Sequence, residues 1–148
     1  MVVTNKVVID ATAMESSALR LIVVAATGTN NIDLAAAARR GIAVCNVRDY
    51  ASAAVSQHVF SLVLALVTHL GDYTRAVGQG RWQQSKVFCM LDYPIRELAG
   101  LTLGIIGYGN LGRSVAQIAQ GFQMQVLICA RPGSNAVPDG RVSLDTLL

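Results

Sequence analysis

Three glycines in the stretch GYGNLG, spaced as Gly107-x-Gly109-x-x-Gly112, are the residues whose spacing bears most directly on chemistry. An apolar run, 101–106, leads into them, and a helical pattern, 110–120, leads away. In this context the first glycine permits a tight turn, the second lets the backbone approach a pyrophosphate, and the third lets helix and strand pack closely. The pattern predicts a dinucleotide site; the alternative is an ordinary glycine-rich turn between a strand and a helix.

The end of the following strand bears on which dinucleotide is bound. In NAD-binding units an Asp or Glu about twenty residues beyond the glycines bonds the ribose hydroxyls. Here that place holds Cys129-Ala130-Arg131, which contains no carboxylate. A guanidinium matches a 2′-phosphate in charge and in bidentate geometry. We therefore expect NADP or NAD as the cofactor, with NADP tolerated through Arg131; the alternative is that Arg131 is a solvated loop residue.

The composition limits the classes of function. Hydrophobic residues make up 53% of the 148 and charged residues only 14%, whereas the surface of a small free-standing domain is about a quarter charged or more. Much of the surface is therefore expected to be covered by a partner or by more of a larger chain. The net charge is +3, but the basic residues are scattered and not interleaved with aromatic residues, so no nucleic-acid partner is expected.

Cysteine spacing and apolar runs bear on location. Cys45, Cys89 and Cys129 lack the spacing of metal ligands, so we expect no bound metal. We expect the three thiols to be buried and reduced, as in a cytoplasmic protein. The first ten residues do not have the pattern of a signal peptide. The most apolar segment, 59–68, is too short to cross a bilayer, so no membrane partner is expected.

The elements that would position these residues alternate between strands and helices. A strand at 21–25, a helix at 33–40 capped by Asp33 and a strand at 42–45 predict a parallel sheet and the α/β fold class. A long helix from about 52 to about 77 is apolar on nearly every side. Such a helix is expected to be covered on both sides, by another domain or by a second subunit.

The remaining segments are less periodic. Residues 78–97 are expected to form an ordered surface crossing anchored by Trp82. Residues 131–141, with two prolines, are expected to form a loop. A helix is expected to begin after Ser143, whose hydroxyl can cap it. Asn5 and Lys6 follow a short apolar run, so they are expected either to face a cleft or to lie in a solvated loop.

Three blocks of the sequence, in this order, resemble the D-isomer-specific 2-hydroxyacid dehydrogenases, and the glycerate dehydrogenase (hydroxypyruvate reductase) branch most closely: LIVVAATGTNNIDLAAAARRGIAVCNV, ASAAVSQHVFSLVLAL and RELAGLTLGIIGYGNLGR. The resemblance covers nearly the whole chain. It implies part of a flavodoxin-like substrate domain at 1–50, an interdomain helix and crossing loop at 51–97, and the first half of an NAD(P)-binding Rossmann domain at 98–148. The chain is then an internal fragment of a two-domain enzyme.

The resemblance also implies roles for particular residues. The loop Ala26-Thr27-Gly28 would present backbone N–H groups to the substrate carboxylate, and Thr27 would also touch the cofactor. Asn110 and Leu111 would lie beside the pyrophosphate. Hydride would pass between nicotinamide and C2 of a small 2-keto or 2-hydroxy acid, such as hydroxypyruvate, glyoxylate or glycerate. The helix at 51–70 would support a homodimer of the full-length protein.

The chain departs from the family pattern in three places. Ala26 stands where members often have Gly, and Ala130 stands where NAD-using members carry Asp, which favours NADP. The family's catalytic Arg, Glu and His would lie beyond Leu148, and neither His58 nor His69 matches the catalytic histidine. We therefore expect no catalytic residue and little activity in these 148 residues alone. The alternative is a non-catalytic dinucleotide-binding or dimerisation module.

Overall fold

The computed structural model describes residues 1–15, 18–131, 133 and 136–148. The chain forms two compact units, Met1–Tyr50 and Ala51–Leu148. Each combines a parallel sheet with helix, one helix in the first unit and four in the second among the described residues, which confirms the predicted α/β class.

The first unit is a three-stranded parallel sheet with one helix. Its strands are β1 (Val2–Thr4), β2 (Leu21–Val24) and β3 (Ala43–Asn46), in the spatial order β1-β2-β3. Strand β2 is made of branched aliphatic residues, which suit a central strand buried on both faces. The core of this unit consists of Ile9, Met14, Ile22, Val24, Ile32, Ala36, Ala37 and Ile42.

Helix α1 (Leu34–Arg39) connects β2 to β3. The predicted cap is confirmed, because Asp33 Oδ1 accepts the Ala36 amide at 2.8 Å. Gly41 follows the helix with φ +64°, a left-handed conformation in which glycine is the favoured residue after a helix. The cap and the glycine together limit the helix to its short length and return the chain to the sheet.

The second unit contains a strand–helix–strand repeat. Strand β4 (Thr102–Ile105) and strand β5 (Gln125–Ile128) pair in parallel on either side of helix α4 (Asn110–Gly121) in the sequence. Helix α2 (Ser52–Val67) packs on α4. The buried centre is Phe60, Leu98 and Ala119, with Val59, Val63, Leu64, Val67, Leu103, Val115, Ile118, Met124 and Val126 packed around it.

The predicted single helix over 52–77 is wrong. Helix α2 ends at Val67, and helix α3 (Leu70–Gly78) leaves at an angle of 62°. His69 between them has φ +50°, which the regular α-helix cannot accommodate. Apolar spacing continues across the break, so the periodicity concealed it.

The crossing segment 78–97 is not anchored by Trp82, whose surface is 49% exposed. It is held instead by an ion pair between Arg81 and Asp92 at 3.1 Å. The Tyr73 hydroxyl also donates to the carbonyl of Tyr93 at 2.8 Å. Polar and aromatic contacts therefore hold this segment.

Helix α2 presents apolar side chains that nothing in its own unit covers. Leu62 is 52% exposed and Leu66 is 75% exposed. That another domain or a second subunit covers both sides of this helix stays a prediction. Within the described residues, none of the helices is long and apolar enough to cross a bilayer by itself, and α2 with α3 meets that requirement only as a bent pair, by length and composition.

Helix α5 (Leu144–Leu147) begins where predicted, with the Ser143 hydroxyl accepting the Thr146 amide at 3.0 Å. Part of the predicted loop over 131–141, namely Pro132, Ser134 and Asn135, lies outside the described residues. The expectation of buried cysteines holds for Cys129 and is wrong for Cys45, which is exposed in β3, while Cys89 is only half-buried.

Candidate functional site

The glycine turn joins the carboxyl end of β4 to the amino end of α4. Gly107 has φ +96°, a conformation that side chains strongly disfavour. Gly109 is the extended residue immediately before α4, and a Cβ placed on it would meet no atom within 4 Å. The space over the second glycine is therefore open, as the approach of a pyrophosphate requires.

Gly112 brings the helix against the turn. A Cβ on Gly112 would lie 2.2 Å from the carbonyl oxygen of Gly107 and 3.3 Å from Cγ2 of Ile105. No side chain fits in that gap, because real contacts of this kind are at least about 3 Å. Each glycine is thus required for a different reason: Gly107 for its positive φ, Gly109 for the open surface above it and Gly112 for the close approach of helix and turn.

The first turn of α4 begins directly after Gly109. Amide groups in a first turn lack intrahelical acceptors and carry the positive end of the helix dipole. This first turn contains no acidic residue. Leu111 is 46% exposed, and the Asn110 side chain accepts a hydrogen bond from Arg113 Nη2. Both predicted pyrophosphate neighbours therefore lie at the open side of the turn.

Arg113 is a residue of this site that the sequence pattern did not single out. Its Nη1 donates to the carbonyl of Tyr108 at 3.3 Å, and its backbone amide donates to the carbonyl of Gly109 at 3.0 Å. The guanidinium therefore braces the turn and adds positive charge beside it. Its place directly after the third glycine was the available signal.

The end of β5 lies beside the glycine turn, because β4 and β5 are adjacent and parallel, with Ile105 paired to Ile128. Cys129 and Ala130 are buried, and the Ala130 amide donates to the carbonyl of Val142 at 2.8 Å. Arg131 follows them and is exposed. The residues at this edge fit a dinucleotide: an open glycine turn, a helix N-terminus, and a guanidinium directly after the position where NAD-binding units carry the acid.

The predicted substrate loop lies in the first unit, after β2. The carbonyl of Ala26 accepts the Val47 amide at 3.1 Å, and the carbonyl of Thr27 accepts Nδ2 of Asn46 at 2.7 Å. Among the residues that the structure describes, the amides of Thr27 and Gly28 donate to no protein acceptor. The carbonyls are engaged and the N–H groups are left available, which is the arrangement that an anion needs.

A cavity of about 150 Å³ opens at this loop. It is lined by Asn5, Lys6, Ala26, Gly28, Asn30 and Asn31. The structure thus places Asn5 and Lys6 beside the loop, which favours the first of the two expectations for them. Asn31, which the sequence did not single out, donates through Nδ2 to the carbonyl of Val7 at 2.9 Å. This hydrogen bond positions the backbone segment that follows Lys6.

The two histidines do not contribute to the cofactor-side residues of the second unit. His58 is exposed on α2. Nδ1 of His69 lies 3.3 Å from Asp72 Oδ2 at the start of α3. In the described part of the chain, no group of three or more His, Cys, Asp and Glu side chains could hold a metal ion.

A parallel strand–glycine turn–helix–strand unit with this open edge defines a dinucleotide-binding α/β protein. Residues 60–148, more than half of the chain, match the family model described as "D-isomer specific 2-hydroxyacid dehydrogenase, NAD binding domain". The chain therefore belongs to the D-isomer-specific 2-hydroxyacid dehydrogenase family. The match confirms the predicted family and the predicted cofactor class, NAD(P).

Similar proteins carry related names. The chain is 48% identical over 131 residues to glycerate dehydrogenase of Methylorubrum extorquens, covering 88% of this chain and 40% of the relative. It is 39% identical over 109 residues to hydroxypyruvate reductase of Blautia hydrogenotrophica, covering 74% and 34%. The solved structure of TT0316 protein from Thermus thermophilus superposes with a TM-score of 0.79 at 30% identity, covering 99% of this chain and 46% of that one. The chain thus spans less than half the length of each.

Proposed function

We propose that this chain is part of an NAD(P)-dependent oxidoreductase that reduces a small 2-keto acid, such as hydroxypyruvate or glyoxylate, or oxidises glycerate. The glycine turn carries the proposal, because α4 packs directly against the carbonyl of Gly107 at Gly112 and the surface over Gly109 is open to a pyrophosphate. The names of the relatives support the substrate class, since one is a glycerate dehydrogenase and another a hydroxypyruvate reductase.

The cofactor half of the site would be held by Gly107, Gly109, Gly112 and the first turn of α4, with Asn110 and Leu111 beside the pyrophosphate. When bound, the nicotinamide supplies or accepts the hydride. Ala130 stands where an acid would repel a 2′-phosphate, and the guanidinium of Arg131 follows it, so we propose that NADP is accepted and preferred. The exposure of Arg131 supports this role, because the guanidinium is accessible to a ligand.

The substrate half would be the loop Ala26-Thr27-Gly28. A 2-keto acid carries a carboxylate, which backbone N–H groups can bind without a bulky side chain. Asn46 holds the Thr27 carbonyl at 2.7 Å, so the loop is oriented with its amides available. Lys6 lines the same cavity and adds a positive charge that favours an anionic substrate. Thr27 would also contact the cofactor.

Proton transfer needs a further group. Hydride transfer at C2 requires an acid or base for the hydroxyl proton, and neither His58 nor His69 matches the catalytic histidine that the family resemblance implies. The Arg, Glu and His that the family resemblance implies match no residues of this chain. We therefore propose that the 148 residues bind cofactor with little turnover, within a full-length protein that is a cytoplasmic homodimer without nucleic-acid or membrane partners.

The second candidate is a non-catalytic dinucleotide-binding and dimerisation module. The exposed apolar side chains of α2, Leu62 and Leu66, favour it, because such side chains are commonly covered by a partner. The two candidates make different predictions for a longer protein that includes the later part of a relative: the first predicts turnover, and the second predicts none.

A chimera tests both candidates. The chain would be continued with the corresponding later part of the Methylorubrum extorquens glycerate dehydrogenase, and oxidation of NADPH and NADH would be followed with hydroxypyruvate and glyoxylate. We expect turnover by the chimera, and cofactor binding with little turnover by the chain alone. A folded chimera that binds cofactor but reduces neither acid supports the module, and a folded chimera that binds no cofactor contradicts both candidates.

A further inference from the structure

Tyr108 is approached by two arginines from different parts of the second unit. Arg113 donates to its carbonyl at 3.3 Å. The guanidinium carbon of Arg141 lies 5.9 Å from the centroid of its ring, within the range of a cation–π contact. Since Tyr108 lies between the first two glycines of the turn, both positive charges are held at the cofactor edge.

The backbone around Arg141 is fixed beside the end of β5. The Arg141 amide donates to the carbonyl of Pro138 at 3.1 Å, and the Val142 amide donates to the carbonyl of Ile128 at 2.9 Å. Val142 also forms a parallel bridge with Cys129. Arg141 thus precedes a residue that is paired beside the end of β5, and Arg131 follows the end of the same strand in the sequence.

Three arginines lie along this part of the second unit: Arg113, Arg131 and Arg141. Among the residues that the structure describes, none of the three forms an ion pair with a carboxylate. Arg141 and Tyr108 are both half-buried, so the stacked guanidinium is partly ordered before any ligand arrives. Partial ordering lowers the entropy cost of binding an anion.

We propose that Arg141, held on the ring of Tyr108, is a second specificity-determining residue and contacts the 2′-phosphate of NADP together with Arg131. The inference rests on the proposed function, because it assigns a further residue to the same cofactor site. A phosphate monoester has three acceptor oxygens and close to two negative charges at neutral pH. One guanidinium satisfies two of those oxygens in bidentate geometry, and a second guanidinium can take the third.

Arg113 has a different role in this arrangement. It lies at the first turn of α4 and bonds Tyr108 and Asn110, next to the place of the pyrophosphate. Because NAD and NADP share the pyrophosphate, Arg113 contributes equally to both. It is therefore the matched control: an arginine at the same edge, in contact with the same tyrosine, without discrimination between the two cofactors.

The competing explanation is that Arg141 only holds its own stretch of backbone, next to Val142 at the end of β5, against Tyr108. Such a structural role would affect both cofactors alike, since NAD and NADP share the rest of the adenosine end. Recognition of the 2′-phosphate would affect NADPH alone. The ratio of the two dissociation constants therefore separates the explanations, whereas either constant by itself would not.

The experiment is titration of the purified protein with NADPH and NADH, following cofactor fluorescence, for the wild type, Arg141→Gln, Arg131→Gln and Arg113→Gln. We expect Arg141→Gln and Arg131→Gln each to weaken NADPH binding by about tenfold or more, the loss of one charged hydrogen bond, and to leave NADH within about twofold. Arg113→Gln is expected to weaken both by the same factor. Tyr108→Leu is expected to lower the preference for NADPH by releasing Arg141.

Equal weakening of NADPH and NADH by Arg141→Gln, or no effect on either, overturns the inference. A wild type that binds the two cofactors equally, with Arg131→Gln also without effect, overturns it together with the proposed NADP preference. A folded wild type that binds neither contradicts the proposed function itself. Circular dichroism establishes folding for each variant. If Arg141→Gln does not fold, Arg141→Lys takes its place: it keeps the charge and is expected to retain part of the preference for NADPH.

Discussion

The carbonyl oxygen of Gly107 occupies the space that a side chain on Gly112 would need: a Cβ there would lie only 2.2 Å from it. The obstacle is backbone, so it cannot move aside as the end of a flexible side chain would. The contact ties the start of α4 to the end of β4, and the fold and the cofactor surface therefore depend on the same pair of residues.

Gly112→Ala is expected to destabilise the second unit and abolish cofactor binding. The methyl group must push α4 away from the turn, at a cost of about 1–3 kcal/mol for an overpacked site. Urea unfolding and cofactor titration measure the two effects. Gly121→Ala is the matched control, since Gly121 lies in the same helix and a Cβ on it would meet no atom within 4 Å. A Gly112→Ala protein as stable as the control contradicts the assignment.

Gly109→Ala is expected to separate binding from folding. A Cβ on Gly109 would meet no atom within 4 Å, and the residue has extended backbone angles that alanine can adopt. Stability should therefore change by less than about 0.5 kcal/mol, while the methyl group obstructs the pyrophosphate. Titration with NADH and NADPH should show both weakened by at least tenfold, on the order of 1.4 kcal/mol. Unchanged affinity would place the pyrophosphate elsewhere.

Ala130→Asp is expected to shift the preference from NADPH toward NADH. The carboxylate would accept hydrogen bonds from the ribose hydroxyls and repel a 2′-phosphate. The ratio of the two dissociation constants should change by about tenfold or more, the effect of one charged hydrogen bond. Ala130→Asn is the control of the same size and shape without the charge. If both variants bind the two cofactors as the wild type does, the adenosine ribose does not lie at Ala130.

Asn46→Ala is expected to loosen the substrate loop. It removes the hydrogen bond to the carbonyl of Thr27 at 2.7 Å, worth about 1 kcal/mol, and lets the free amides turn away from the cavity. In the chimera the KM for hydroxypyruvate should rise with little change in the dissociation constant of NADPH. Cys45→Ala, on the preceding residue of β3, provides the comparison. An equal rise in KM for both variants would argue against a specific role for Asn46.

Much of the fold follows from patterns that neighbouring residues complete. The helix cap at Asp33 and the one at Ser143 each need only an amide three residues along. The glycine turn is likewise local, because a strand, three glycines and a helix follow one another directly. Such features depend on short stretches of chain, so residue types and spacing predicted them.

Other features depend on contacts between distant residues. Asn46 meets Thr27 across two strands, and Arg141 meets Tyr108 across the edge of a sheet; neither pair has a spacing that repeats in the sequence. The break at His69 has the same origin. Its left-handed backbone is accompanied by stacking of its ring with that of Tyr93, with centroids 6.0 Å apart, and the apolar pattern does not report such contacts.

The bend at His69 also determines how the segment after α3 is attached. A straight helix would have carried its last nine residues about 13 Å further along one axis. Bent, α3 directs the Tyr73 hydroxyl to Tyr93, and the Arg96 amide returns to the carbonyl of Val67 at 2.9 Å. Helix α3 and the segment after it thus form a closed loop, whose later end is fastened at the junction where α3 begins. A protease that cut at its exposed tip, at Phe88, would leave two pieces still joined by these contacts.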